Sequence, residues 1–126
     1  MIVLDSSAWI EFFADGPYAG EFAKRLARPE EVVAPTVAIY EVYKWIKRER
    51  SEDEALAAIA TMKKTVVADL TEEVALIAAD LSLSHSLAMA DAMMLAFARV
   101  NGVELLTTDS DFEGLSGVTI FTKRRK

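Results

Sequence analysis

Five short apolar runs recur along the chain: MIVLD at residues 1–5, EEVVAP at 30–35, TVVAD at 65–69, VELLT at 103–107 and VTIFT at 118–122. Between the first four lie stretches with apolar residues at helical spacing. SSAWIEFF reads as a helix capped by Ser6 or Ser7, and Tyr18–Ala27 returns to the same spacing after the turn residues Asp15, Gly16 and Pro17. Thr36–Glu49 reads as a helix with Thr36 at its cap. Ser51, with Glu54 three residues on, forms a capping box that opens a helix to about Lys64. Thr71 opens another to about Ser84, and Met89–Val100 ends at Asn101-Gly102. Short apolar strands alternating with helices predict an α/β fold of three layers, α/β/α, around a mostly parallel twisted sheet of about five strands. A hydrophobic share of 52% suits a sheet covered on both faces.

In such folds ligands bind at the carboxyl ends of the strands. Two acids fall there. Asp5 closes the first run, and Asp109 follows the fourth, just after Thr107 and Thr108. Two more stand on predicted helices, Glu41 and Asp91. Asp91 is the sharpest case. It sits in SLAMADAMMLAF, and with His85 neutral no other formal charge occurs between Asp80 and Arg99. An ionised carboxylate among apolar side chains needs compensation. Four converging carboxylates that hold a divalent cation would supply it, and hard oxygen donors suit Mg²⁺ or Mn²⁺.

Taken one at a time, each acid also has a plainer account. Asp5 ends a strand or caps a helix. Glu41 forms an ion-pair stripe with Lys44 and Arg48. Asp91 is an N-cap. Asp109 and Asp111 build an Asx turn. No rival catalytic device accompanies them. The chain has no cysteine, one histidine (His85, in an apolar stretch that reads as structural), scattered glycines and no nucleophile-elbow serine.

The order of the four acids resembles the PIN-domain family, and within it the toxins of VapBC-type toxin–antitoxin pairs. MIVLDSSAWIEFF is similar to that family's opening strand and turn, APTVAIYEV to its second acidic motif, LAMADAMMLAFAR to its third and LLTTDSDF to its fourth. The resemblance runs from Ile2 to about Phe121. It implies an endoribonuclease dependent on Mg²⁺ or Mn²⁺, with a metal site of Asp5, Glu41, Asp91 and Asp109. Ser6 and Thr107 would support that site, with Asp111 beside Asp109 in the fourth motif. It also implies a homodimer and a small antitoxin partner. A non-catalytic binding module on the same fold is the alternative. A receiver-type signalling domain with Asp69 as phosphoacceptor is a further one.

The net charge of −6 does not mark a nucleic-acid binder overall, so RNA would need local basic grips. Lys44, Lys47 and Arg48, followed by Arg50, cluster beside Glu41, and Lys24, Arg25 and Arg28 form a second group. Both also read as solvated helix faces. Residues 1–122 read as one domain, and Lys123–Lys126 as a basic tail that is either a phosphate contact or a charged terminus. Leu81–Ala98 is only just long enough for a membrane span, and Ser82, Ser84, His85, Ser86 and Asp91 interrupt its apolar run. No signal peptide is visible, and the reading is a cytoplasmic protein that does not enter a membrane.

Overall fold

The computed structural model describes residues 1–122 of the chain. The basic tail therefore lies outside the described residues. Five strands, β1 (Ile2–Leu4), β2 (Val32–Pro35), β3 (Val66–Ala68), β4 (Glu104–Thr107) and β5 (Val118–Ile120), form one sheet in the order β3-β2-β1-β4-β5. Every pairing is parallel. The sheet is thus wholly parallel, where the sequence predicts a mostly parallel one. Among the described residues six α-helices connect it: α1 (Ser6–Phe13), α2 (Ala19–Leu26), α3 (Thr36–Glu49), α4 (Glu52–Met62), α5 (Glu72–His85) and α6 (Met89–Asn101).

β1 is the central strand. Its consecutive residues Val3 and Leu4 are both 0% exposed, and adjacent strand residues point to opposite faces, so both faces of the sheet are covered. α6 is buried along most of its length through Ala92, Met94, Leu95, Ala96, Phe97 and Ala98. The edge strand β3 departs from the apolar-core expectation: Val66 and Val67 are 41% and 40% exposed there. On α6, Met94 and Phe97 are buried and Met93 is partly so, but Met89 is exposed. His85 is exposed at the end of α5 and is not a core histidine.

The caps correct the sequence reading in three places. Asp5, not Ser6 or Ser7, caps α1, its Oδ1 accepting from Ala8 N at 3.0 Å. Pro35 is the N-cap of α3 and makes no side-chain cap bond, so Thr36 is the first helical residue. Asp91 is not an N-cap; it lies in the first turn of α6, behind Ala88. The capping box at Ser51 holds, with Ser51 Oγ accepting from Glu54 N at 3.1 Å. Gly102 closes α6 with φ +64, a left-handed conformation that favours glycine.

The α1–α2 turn is built around a buried acid. Glu11 is 3% exposed, and its Oε2 accepts from Tyr18 N at 2.8 Å. A Cβ at Gly16 would stand 2.5 Å from that carboxylate, so the turn needs glycine for close approach.

The strand order also decides between fold readings. A receiver-type sheet runs 2-1-3-4-5, with the first strand between the second and third. Here β1 lies between β2 and β4, and Asp69 is exposed beyond the edge strand β3. The receiver-type alternative is thereby excluded. No single helix is long and apolar enough to cross a membrane among the described residues. The pair α5 and α6 is bent by 118° between its members.

Candidate active site

The chain runs outward from β1 to β2 and β3, then returns across the sheet to place β4 on the other side of β1. The switch point of the topology is therefore the crevice between the carboxyl ends of β1 and β4. Leu4 pairs with Leu106, and Asp5 N donates to Leu106 O at 3.2 Å, so Asp5 emerges beside Thr107. A cavity of about 340 Å³ opens there, and Asp5, Glu41, Asp91 and Asp109 all line it. Four acids up to 104 residues apart in sequence thus meet at one place, as the strand-end rule anticipates.

Asp5 is held from three directions. Ser7 Oγ donates to its Oδ1 at 2.7 Å, Ala8 N to the same oxygen, and Thr107 Oγ1 to Oδ2 at 2.7 Å. Thr107 is itself buried and accepts from Asp109 N at 2.9 Å; Ser7 accepts from Thr108 N at 3.0 Å. Burial dominates these donors and pushes Asp5 up to about 6, with the Asp109 charge adding to the rise. Each hydroxyl has one proton. With both given to an ionised Asp5, none remains for the 3.0 Å contact between Ser7 and Thr107.

Glu41 accepts a hydrogen bond from Ser6 Oγ, which joins α3 to the start of α1. Among the described residues it makes no ion pair with Lys44 or Arg48, so the stripe reading fails. Asp109 caps the 3-10 turn Ser110–Phe112, its Oδ1 accepting from Asp111 N at 2.9 Å. The Asx turn expected for this pair therefore exists, and it turns Asp111 toward its neighbours. Carboxylate oxygens of Asp91, Asp109 and Asp111 lie within 4.8 Å of one another. Asp5 and Glu41 line the cavity but are not members of this triple.

Asp91 stands at the positive end of α6, which favours a carboxylate. Two other effects outweigh that dipole. Burial comes first, then repulsion from Asp109, Asp5, Asp111 and Glu41, and together they push Asp91 up to about 6. No hydrogen-bond donor or cation among the described residues meets its carboxylate. A half-buried acid without a partner, facing four others, is a donor set that fits a hard divalent cation.

The basic groups divide. Lys44 and Arg48 line the cavity with the acids. Lys47 does not; it pairs with Glu52 at 3.9 Å and stacks over Tyr43. Lys24, Arg25 and Arg28 line a separate cavity with Met1 and Ile2, where β1 begins, at the far end of the strands from the acids. Ser7 is the residue that motif reading passes over. Its only signal is the doubled serine after Asp5.

None of the curated proteins matches the chain by sequence. The fold has solved relatives. One is a toxin–antitoxin complex from Klebsiella pneumoniae, 22% identical, with a TM-score of 0.79 over 94% of this chain and 96% of that one. A second is VapC20 from Mycobacterium tuberculosis, described as a Sarcin-Ricin loop cleaving toxin: 23% identical, TM-score 0.78, covering 94% and 97%. A third is DNA-bound VapBC from Salmonella typhimurium, 16% identical, with a TM-score of 0.72 over 95% and 96%. At these identities the likeness is one of fold. The family model for the PIN domain matches residues 2–118, nearly the whole described chain, with the four acids that line the cavity and Asp111, and the chain belongs to the PIN domain family.

Proposed function

We propose that the chain is a divalent-cation-dependent endoribonuclease, the toxin of a toxin–antitoxin pair, acting as a homodimer and restrained by a small antitoxin protein. The observation that carries this reading is Asp91, a carboxylate with oxygens of Asp109 and Asp111 within 4.8 Å, Asp5 and Glu41 on the same cavity, and no cation or hydrogen-bond donor of the described residues on it. The sequence motifs and the toxin–antitoxin complexes among the structural relatives support the partner and the toxin assignment.

In this reading Asp91, Asp109 and Asp111 hold Mg²⁺ or Mn²⁺, with Asp5 and Glu41 beside them. A cation so held supplies charge neutralisation, polarisation of a phosphoryl oxygen and a more acidic water. Asp5, fixed by Ser7, Ala8 and Thr107, gives the crevice a carboxylate of set direction. Glu41, steadied by Ser6, faces the same space from α3 and orients a water for in-line attack. Lys44 and Arg48 form a positive rim that draws a polyanionic backbone past an acidic centre.

The test is cleavage of a panel of single-stranded and structured RNAs by the purified chain in Mg²⁺ or Mn²⁺, with and without excess EDTA. The expected result is cleavage that EDTA abolishes and Asp91→Asn removes. Equal cleavage in EDTA overturns the metal mechanism. A wild-type chain inert on every RNA, yet binding one, makes it a binding module.

A further inference from the structure

Tyr40 is 61% exposed on α3 and lines the same cavity as Glu41, Asp5 and Asp91. A large ring left in water at the lip of a cavity contributes little to the packing of the fold. Lys44, one turn on, stands with its Nζ 5.5 Å from the ring centroid and 3.5 Å from the phenol oxygen. Among the described residues no other aromatic ring and no other cation is stacked on Tyr40. The ring therefore presents a face on which no ring or cation of the described residues is stacked, Lys44 apart. Tyr43 and Lys47 repeat the pair one turn along, with the same 5.5 Å separation. Tyr43, however, packs against the core and lies outside the cavity. Of two like pairs, one meets the carboxylates.

We propose that Tyr40 is the seat for one unpaired nucleobase of an RNA strand crossing the carboxylates, with Lys44 and Arg48 taking the neighbouring phosphates. This rests on the nuclease reading above and deepens it. It names the substrate as single-stranded and assigns a residue that positions it. An aromatic face accepts any base, because every base has a π face, but it accepts only a base that is free of its own duplex stack. Lys44 at the ring and Arg48 on the same cavity match the backbone that such a base carries with it. The arrangement favours RNA over an apolar peptide side chain, which would bring no phosphate to Lys44 beside the ring or to Arg48, whose partner in the chain is the exposed Glu49 at 2.9 Å.

The experiment uses a short single-stranded RNA that the wild-type chain cleaves, made intact and as a series with one abasic residue at each position in turn. Wild type, Tyr40→Ala, Tyr40→Leu and Tyr40→Phe are compared by kcat/KM, with melting curves to show that each is folded. For wild type, one abasic position lowers kcat/KM by about five- to 100-fold, the size of one base–aromatic stack. Tyr40→Ala and Tyr40→Leu lower it by the same factor on the intact strand and suffer no further loss at that abasic position. Tyr40→Phe stays within about twofold of wild type. The inference is overturned if Tyr40→Ala cleaves as wild type does, or if its loss multiplies with that of every abasic position. It is equally overturned if the variant keeps its RNA kinetics and loses only capture of a protein partner. A wild type that cleaves no RNA sinks the nuclease reading itself, and this inference with it.

Discussion

Thr107 Oγ1 donates to Asp5 Oδ2 at 2.7 Å, a buried bond between the ends of two strands 102 residues apart. The same oxygen accepts from Asp109 N, so one hydroxyl fixes two acids of the crevice at once. Removing it strips a donor from a buried carboxylate and orphans a backbone N–H. Thr107→Val, equal in shape, is expected to lose about 1–3 kcal/mol of stability and most of the activity. Thr107→Ser should recover both. Denaturant melts and initial cleavage rates check the pair.

Asp91→Asn should stabilise the chain in EDTA, and by an amount that depends on pH. The folded-state value of about 6 lies above the ordinary 3.8. Below about pH 4 the carboxyl is protonated whether folded or not, and the substitution changes little. As pH rises from about 4 to about 6, the unfolded chain ionises first and the folded state resists, so wild type loses stability that the amide variant retains. Above that window the gap is constant. The groups facing Asp91 are Asp5, Glu41, Asp109 and Asp111, with Lys44 and Arg48 on the same cavity. Thermal melts of both proteins from pH 4 to pH 8 test the sign.

Mg²⁺ or Mn²⁺ should raise the melting temperature of wild type, through a linkage stabilisation of about 2.7 kcal/mol at a concentration of 100 times Kd. Asp111 separates two versions of the site. Its carboxylate belongs to the close triple, whereas Glu41 does not. Asp111→Asn is therefore expected to lose most of the metal-induced rise, and Glu41→Gln to keep more of it while losing activity. The reverse order would move the cation toward Glu41.

Reversing the charge at Arg48 or Lys44 should weaken RNA binding more at low salt than at high salt. Each lost phosphate contact removes about 0.7 from the salt slope for a single strand. Lys47→Glu should leave the slope unchanged, because Lys47 lies off the cavity against Glu52. Binding titrations at four salt concentrations distinguish the three lysine and arginine positions.

Gly16→Ala offers a variant remote from the chemistry. Its Cβ would meet the Glu11 carboxylate, which Tyr18 N holds in place. A loss of about 1–3 kcal/mol is expected from overpacking, with cleavage per folded molecule unchanged. Melting and active-site titration check both halves.

The alternation of short apolar strands with amphipathic helices was legible in the sequence because strand and helix periods are local properties of neighbouring residues. So were the capping box at Ser51, the glycine stop at Gly102 and the four acids, since a polar residue at a strand end or alone in an apolar stretch stands out without a partner in view. Tertiary structure decided what each of those groups faces. Ser6 and Ser7 are adjacent, yet Ser6 turns to Glu41 and Ser7 to Asp5, because one helical residue rotates the side chain by about 100°. Asp111 joined Asp91 only through the turn that Asp109 caps, and Lys24, Arg25 and Arg28 were carried to the opposite end of the strands. Periodicity records which face of an element is buried. It does not record which other element covers that face, and here the return of the chain to the far side of β1 made that choice.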